Sequence, residues 1–345
     1  MVPLSAAGAS LLDEIVEIAL MPGGPAERAR ALLEPLRRIT PCDAVLITAF
    51  DPELKTQTPL LKDGYSDAMS RALDGPRFAE DAEAAGLHSP RPHLRVMDLS
   101  APPEALPTWS QHLYPAGIRE GLRTGLFTRD GRYVGVVNTC SADPRPATEE
   151  ARALLGHAGP WIAHAIDPLR TVNAIAALVS DAVAGVALTR TGNTVSLTGL
   201  PGHPILVPGS SLIMAAAARV PTENPLTTFL CPAAGSETEL FRVSILTCPP
   251  EPPGYLRQVV LLSPAPYPYG LTRDQLRVLG MLVEGWPPAR MAAALKIDHL
   301  VLADHIDDIV TKLRATSYHL AAARALRRGF YIPAALLSAA TSERG

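Results

Sequence analysis

The sequence predicts an α+β body followed by an all-α tail of four helices. Three observations predict it. Strand-like apolar runs alternate with helical periodicities as far as residue 264. Residues 271–332 carry helical periodicity alone. Proline-rich joints near Pro168 and across residues 264–268 separate the parts, which sets expected boundaries at 1–168, 169–264 and 265–345.

The first part opens on a helix with Leu11, Leu12, Ile15, Val16 and Ala19 in helical spacing. Ser10 is its expected N-cap, with Asp13 three residues on. Leu32, Leu33, Leu36 and Ile39 mark a second helix, and residues 44–50 a buried strand. Ser66 and Asp67 open a short helix that leads into Met69. Residues 121–127 and 133–137 are strands joined through Arg129, Asp130 and Gly131, and Asp-Gly between apolar runs is a strong hairpin signal. A long helix begins after Thr148, where Glu149 and Glu150 suit the positive end of the helix dipole. It continues through Leu154, Leu155, Trp161 and Ile162.

The order of these elements resembles a GAF domain. Tyr114, Gly117, Gly125, Phe127, Gly135, Val137, Pro146, Thr148, Glu150 and His164 carry the likeness, which spans residues 8–167. It implies an antiparallel sheet flanked by helices, a small-molecule effector in this domain, and dimer contacts through the terminal helices. Other members only scaffold. A mostly apolar pocket is expected beside the strands at 44–50 and 121–137.

The middle part reads as a helix over 174–184 and a hairpin from 186–189 to 194–197 through Thr191, Gly192 and Asn193. Strands follow at 240–246 and 256–262. This small α+β module resembles a reduced PAS-like domain. An unclassified linker domain fits the same pattern.

In the tail, Thr272 caps a helix burying Leu276, Leu279, Leu282 and Val283, which stops at Gly285. Pro287 and Pro288 suit the first turn of the second helix, which uses Met291, Ala292 and Leu295. Ile297 and Asp298 connect it to a third helix, with Asp298 as N-cap and Leu302, Ile306, Ile309 and Leu313 inward. A fourth helix runs over 317–328. Two short helices joined by a tight turn form a helix-turn-helix, whose second helix enters the major groove. The segment resembles the LuxR/NarL-type helix-turn-helix domain at Leu271, Thr272, Val278, Leu279, Leu282, Glu284, Gly285, Met291, Ala292, Leu295, Ile297, His305, Ile306, Ile309, Lys312, Leu313, Ala325 and Leu326.

The departures from that pattern concern chemistry. Gln275 stands where the family has glutamate, and Pro288 and Ala289 replace a small polar or basic pair. The recognition helix opens with Val301, Leu302 and Ala303, and Asp304 takes the place of a polar or basic residue. Asp307 and Asp308 add negative charge. Base readout needs groups that reach base edges, and anchoring needs cations near phosphates. The candidate DNA-binding residues are Arg290, His299, Leu300, Val301, Ala303, Asp304, His305, Lys312 and Arg314. Leu300 and Val301 suit thymine methyls. His305 reads equally as a packing histidine.

The 345 residues carry a net charge of −3. Residues 266–345 hold ten Lys+Arg against seven Asp+Glu, a local charge of +3 on an acidic body, as befits a nucleic-acid module joined to something else. Cys42, Cys140, Cys231 and Cys248 are far apart and read as buried thiols, with neither a metal site nor a disulfide framework implied. His157 and His164 are seven residues apart but lack a third metal ligand at matching spacing. No phosphate-loop, dinucleotide, zincin or nucleophile-elbow motif occurs, so neither an enzyme nor a bound cofactor is expected. No lysine lies between Lys62 and Lys296, which disfavours an aspartyl-phosphate receiver. No apolar span or basic leader is present, so no membrane partner is expected and the cytoplasm is the expected location.

The expected function is that of a ligand-responsive one-component transcriptional regulator, a homodimer on double-stranded DNA. The alternative is a degenerate helix-turn-helix protein that acts through protein–protein contacts with little or no DNA binding.

Overall fold

The computed structural model describes residues 4–90, 94–99, 101–218, 226–233, 239–266 and 269–336. The expected joint at 264–268 lies partly outside them, at Tyr267 and Pro268. The architecture is α+β, with two five-stranded antiparallel sheets. Where the sequence separates three parts, backbone contacts group the chain into two compact units. The first is Met1–Thr171 with Pro250–Tyr255, the second Val172–Pro249 with Leu256–Gly345.

The first unit begins with α1 (Ala6–Leu20), α2 (Pro25–Ala31) and α3 (Leu33–Ile39). Its strands are β1 (Ala44–Asp51), β2 (Thr56–Asp63), β3 (Leu94–Arg95), β4 (Leu122–Phe127) and β5 (Tyr133–Cys140), in the order β2-β1-β5-β4-β3. Helices α4 (Asp67–Leu73) and α5 (Pro76–Ala84) precede β3, and α6 (Glu149–Ile166) follows β5. Side chains alternate across the sheet with the strand period of two. Val45, Ile47, Leu122, Leu126 and Val137 share a core with Ile15, Leu36, Leu155 and Ile162 of the helices. On the other face, Val136 and Cys140 pack with Met69, Ala82 and Trp109, and Leu46 with Leu73 and Phe78.

One expectation for this unit is corrected. The N-cap of α1 is Ser5, whose hydroxyl accepts from the Gly8 N–H at 3.1 Å, so Ser10 lies inside the helix. Ser5 has the extended backbone a cap requires, and helix-favouring alanines follow it. The second expected helix is present as α3, and α2, which the apolar spacing did not mark, precedes it with Leu32 between them. Ser66 and Thr148 cap α4 and α6 as expected. The carbonyls at the end of α1 are satisfied by the Arg170 guanidinium, which donates to Ala19, Leu20 and Met21.

The second unit follows the division after Thr171, within α7 (Pro168–Ala176). Its strands are β6 (Ala184–Thr189), β7 (Thr194–Ser196), β8 (Leu226–Pro232), β9 (Leu240–Thr247) and β10 (Leu256–Pro264), with α8 (Ser211–Ala217) between β7 and β8. The order β7-β6-β10-β9-β8 repeats the connectivity of the first sheet. The expected helix over 174–184 is shorter: α7 ends at Ala176, and Ala184 already belongs to β6. Val183 donates its N–H to the Leu262 carbonyl at 2.8 Å, which draws this stretch into the sheet.

Four helices complete this unit: α9 (Arg273–Val283), α10 (Pro288–Leu295), α11 (His299–Lys312) and α12 (Tyr318–Arg328). Helices α9, α11 and α12 pack on one another, α10 packs on α11, and α12 also touches β8. Leu276, Leu279, Met291, Leu302, Ile309 and Ala325 belong to one continuous cluster with Phe229, Val243, Ile245 and Val260 of the sheet. The segment after α12 joins the two layers. Tyr331 accepts from the Leu230 N–H of β8 at 2.8 Å, and the Ile332 N–H donates to Leu276 of α9 at 3.0 Å. The Ala334 N–H then donates to Glu284 Oε1 at 2.9 Å. Gly329 ends α12 in the left-handed conformation, where a Cβ would meet Thr228 of β8 at 2.7 Å.

Candidate nucleic-acid interface

Helix α11 is started by Asp298, whose carboxylate accepts from the Leu300 N–H at 2.8 Å. The turn from α10 passes through Lys296, left-handed at φ 55°, which lets two short helices meet with few residues between them. Leu302, Ile309 and Leu313 anchor α11 in the core. The outward side carries Leu300, Ala303, Asp304, Asp307, Asp308 and Thr311, all exposed and in helical spacing on one stripe. Leu300 is 77% and Val301 44% exposed, so both stand clear of the fold.

The nine candidate residues do not form one cluster. His299, Leu300, Val301, Ala303 and Asp304 sit together at the N-terminal end of α11 and are exposed. His305 is half-buried. Lys312 ends the helix, about 20 Å along the axis from His299 at 1.5 Å per residue. Its ammonium donates to Gln275 Oε1 at 2.9 Å and lies 4.0 Å from Asp308, so its charge is engaged within the fold. Gln275 also caps α9 reciprocally with Thr272 and donates to Asp308 at 3.1 Å. Arg314, beyond the helix, is exposed with φ 51°. Arg290 on α10 is exposed and stacks on Trp286, its guanidinium carbon 3.7 Å from the ring centre. Sequence reasoning passed over Lys296, an exposed cation in the turn before α11.

The first unit has a cavity of about 30 Å³ under α5 and beside β4 and β5. Leu87, Leu106, Trp109, Leu113 and Val136 give it an apolar wall, and Arg123 and Asn138 reach it from the sheet. The sequence placed a mostly apolar pocket beside residues 44–50 and 121–137; the cavity is lined from Arg123, Val136 and Asn138 but by no residue of 44–50, and its charged member was not anticipated. The available signal was an arginine inside the apolar run of residues 121–127.

No helix among the described residues is long and apolar enough to cross a membrane. Among the same residues, no group of three or more His, Cys, Asp or Glu side chains is placed to hold a metal ion.

No family model matches the chain, and no curated protein matches its sequence. Solved structures do. One is bacteriophytochrome RpBphP3 from the photosynthetic bacterium R. palustris, at 11% identity and TM-score 0.39, covering 76% of this chain. This chain spans 65% of that protein. A phycocyanobilin-bound GAF domain of a cyanobacterial phytochrome matches at 18% identity and TM-score 0.38, over 48% of this chain and 95% of the domain. The Vibrio cholerae VqmA dimer, a LuxR-type receptor, matches at 14% identity and TM-score 0.28, over 48% of this chain and 93% of its own.

Proposed function

We propose that the chain is a ligand-responsive one-component transcriptional regulator that binds double-stranded DNA as a homodimer. DNA is met by the helix-turn-helix of α10 and α11, and the first unit acts as a GAF-like sensor for a small molecule. The single observation that carries this reading is the exposed N-terminal end of α11, presented by a buried opposite face and preceded by a tight turn. The LuxR/NarL-type spacing of residues 271–326 supports it, as does the +3 charge of residues 266–345. The repeated strand order supports GAF-like and PAS-like modules in tandem. Such a regulator works in the cytoplasm, without catalysis or a cofactor. The test is fluorescence anisotropy of labelled random duplex with the full chain at low salt. Binding is expected, and Leu300→Glu together with Ala303→Glu is expected to abolish it while the helical spectrum is kept.

A second reading is favoured by one specific observation. The outward stripe of α11 carries Asp304, Asp307 and Asp308, and Lys312 is turned onto Gln275. Phosphates are repelled there and few cations offset this. On this reading the exposed Leu300 and Val301 meet a protein partner. A folded dimer that ignores random duplex at low salt would decide for it.

A further inference from the structure

Arg123 of β4 is 6% exposed, yet its Nε and Nη2 atoms find no acceptor. No carboxylate among the described residues forms an ion pair with it. The Trp109 ring lies 5.4 Å from the guanidinium carbon, and a ring face does not replace two hydrogen bonds. A buried cation without its partner is costly, and such groups in native folds are paired or bind something. Directly opposite in the strand register stands Asn138 of β5, whose Oδ1 is likewise buried and without a donor. Both side chains line the same cavity. Asp81 of α5 lines it too, with Oδ2 accepting from the Thr108 N–H at 2.7 Å.

The remaining wall is apolar and unusually shaped. Tyr114 donates its N–H to Trp109 across five residues at 2.8 Å, so the chain makes a wide π-type turn over Trp109–Leu113. Wide turns of this kind gather at functional sites, and this one brings Trp109 and Leu113 to the cavity.

We infer that this cavity binds a small aliphatic α-amino or α-hydroxy acid. The Arg123 fork takes the carboxylate, and Asn138 Oδ1 accepts from the neighbouring ammonium or hydroxyl. The planar guanidinium matches a carboxylate through two parallel hydrogen bonds, which an ammonium ion does not. Asp81 supplies a negative group that complements an ammonium. The enclosed part, about 30 Å³, is smaller than such an acid, so it seats the carboxylate end and the open side of the pocket takes the remaining atoms. This inference rests on the reading of the first unit as a small-molecule sensor and names its ligand class.

The experiment is calorimetric titration and thermal melting of the full chain with L-alanine, L-lactate, propionate and L-alaninamide. Alanine and lactate are expected to bind one per chain and to raise Tm. Propionate binds more weakly, and alaninamide, lacking the carboxylate, does not bind. Preference for alanine over lactate assigns the acceptor pair to an ammonium, and the reverse assigns it to a hydroxyl. Arg123→Met is expected to abolish binding and to raise the ligand-free Tm, because it removes an unpaired buried charge. Arg123→Lys keeps the charge, loses the fork and should weaken binding about tenfold, equivalent to about 1.4 kcal/mol. Alaninamide binding as well as alanine, or no acid binding at all, overturns the inference and leaves DNA binding, measured separately, intact. Alanine binding that leaves DNA affinity unchanged upholds the ligand class and sinks the sensor reading.

Discussion

Gly280 of α9 lies against the backbone carbonyl of Ile332. A Cβ at this position would come within 1.8 Å of that oxygen and 2.7 Å of its carbon. The obstacle is backbone, so no rotamer change relieves it. Gly280→Ala is expected to cost about 1–3 kcal/mol, as overpacking of a well-filled core does. Because Ile332 also ties α9 to the segment paired with β8, strand and helix signals should fall in one transition. Thermal melts of wild type and variant, followed in the far ultraviolet, check both points.

The four tail helices should not fold without their sheet. A fragment of residues 265–345 would lose the packing of α12 on β8 and of Tyr331 on Phe229, which joins its buried residues to the sheet. We expect no cooperative helical melt from it, whereas a fragment from Val172 onward should melt cooperatively. A sharp transition in the shorter fragment would contradict the shared core.

Duplex binding, on the proposed function, should depend weakly on salt. Each neutralised phosphate contributes roughly −0.9 to the slope of log K against log salt. The α11 stripe presents three aspartates and its terminal lysine is engaged elsewhere. Asp304→Lys is expected to tighten binding to random duplex and to steepen the slope by about one to two units. Anisotropy titrations at several salt concentrations measure this. A steep slope in the wild type would mean that the acidic stripe points away from DNA.

Lys312→Ala should leave that slope unchanged. The lost interactions are a hydrogen bond to Gln275 and a 4.0 Å approach to Asp308, both partly exposed. The expected stability change is therefore small, about 1 kcal/mol or less. Urea titration of the variant beside its salt dependence on DNA separates the two roles.

The first unit should lose stability on mild acidification. His88 stacks in a cluster with Phe50 and Tyr133, ring centres 5.3 and 4.4 Å away, and its Nε2 has no partner. Burial holds its pKa below the ordinary 6.5, and Glu83 offsets this in part. Burial also lowers His164, with the Arg170 charge adding to it. The unfolded chain therefore takes up these protons first as pH falls. Stability is present above 6.5 and is lost between there and the lower folded values. His88→Phe should flatten this dependence, leaving the part due to His164. Melts between pH 8 and pH 5 report it.

Much of the fold was legible in particular residues. Thr272, Asp298 and Ser317 cap α9, α11 and α12 at the places their sequence context indicates. The Asp130-Gly131 pair turns β4 into β5, and Gly192 turns β6 into β7. Periodicity was less informative where tertiary contacts decide. Residues 177–183 have helix-compatible composition, but Val183 is claimed by Leu262 of β10. Ser10 has the chemistry of a cap, but Ser5 has the backbone for it. Strand β2 gave little signal, since Thr56–Asp63 mixes proline, lysine and threonine and is half-buried at the sheet edge. The exposed end of α11 was readable from helical spacing. Lys312's partner, 37 residues away, and the pairing of Arg123 with Asn138 across two strands are not local properties.

The backbone link from Tyr331 to β8 bears on how parts of this chain can be exchanged with others. Grafting a foreign reader of DNA at the proline-rich joint would sever a hydrophobic core rather than a tether, taking the Tyr331 ring from Phe229 and the acceptor from the Leu230 N–H. The transplantable cassette here starts near Val172 and carries its own sheet with it. Chimeras designed on that seam should be soluble where those cut at residue 265 aggregate.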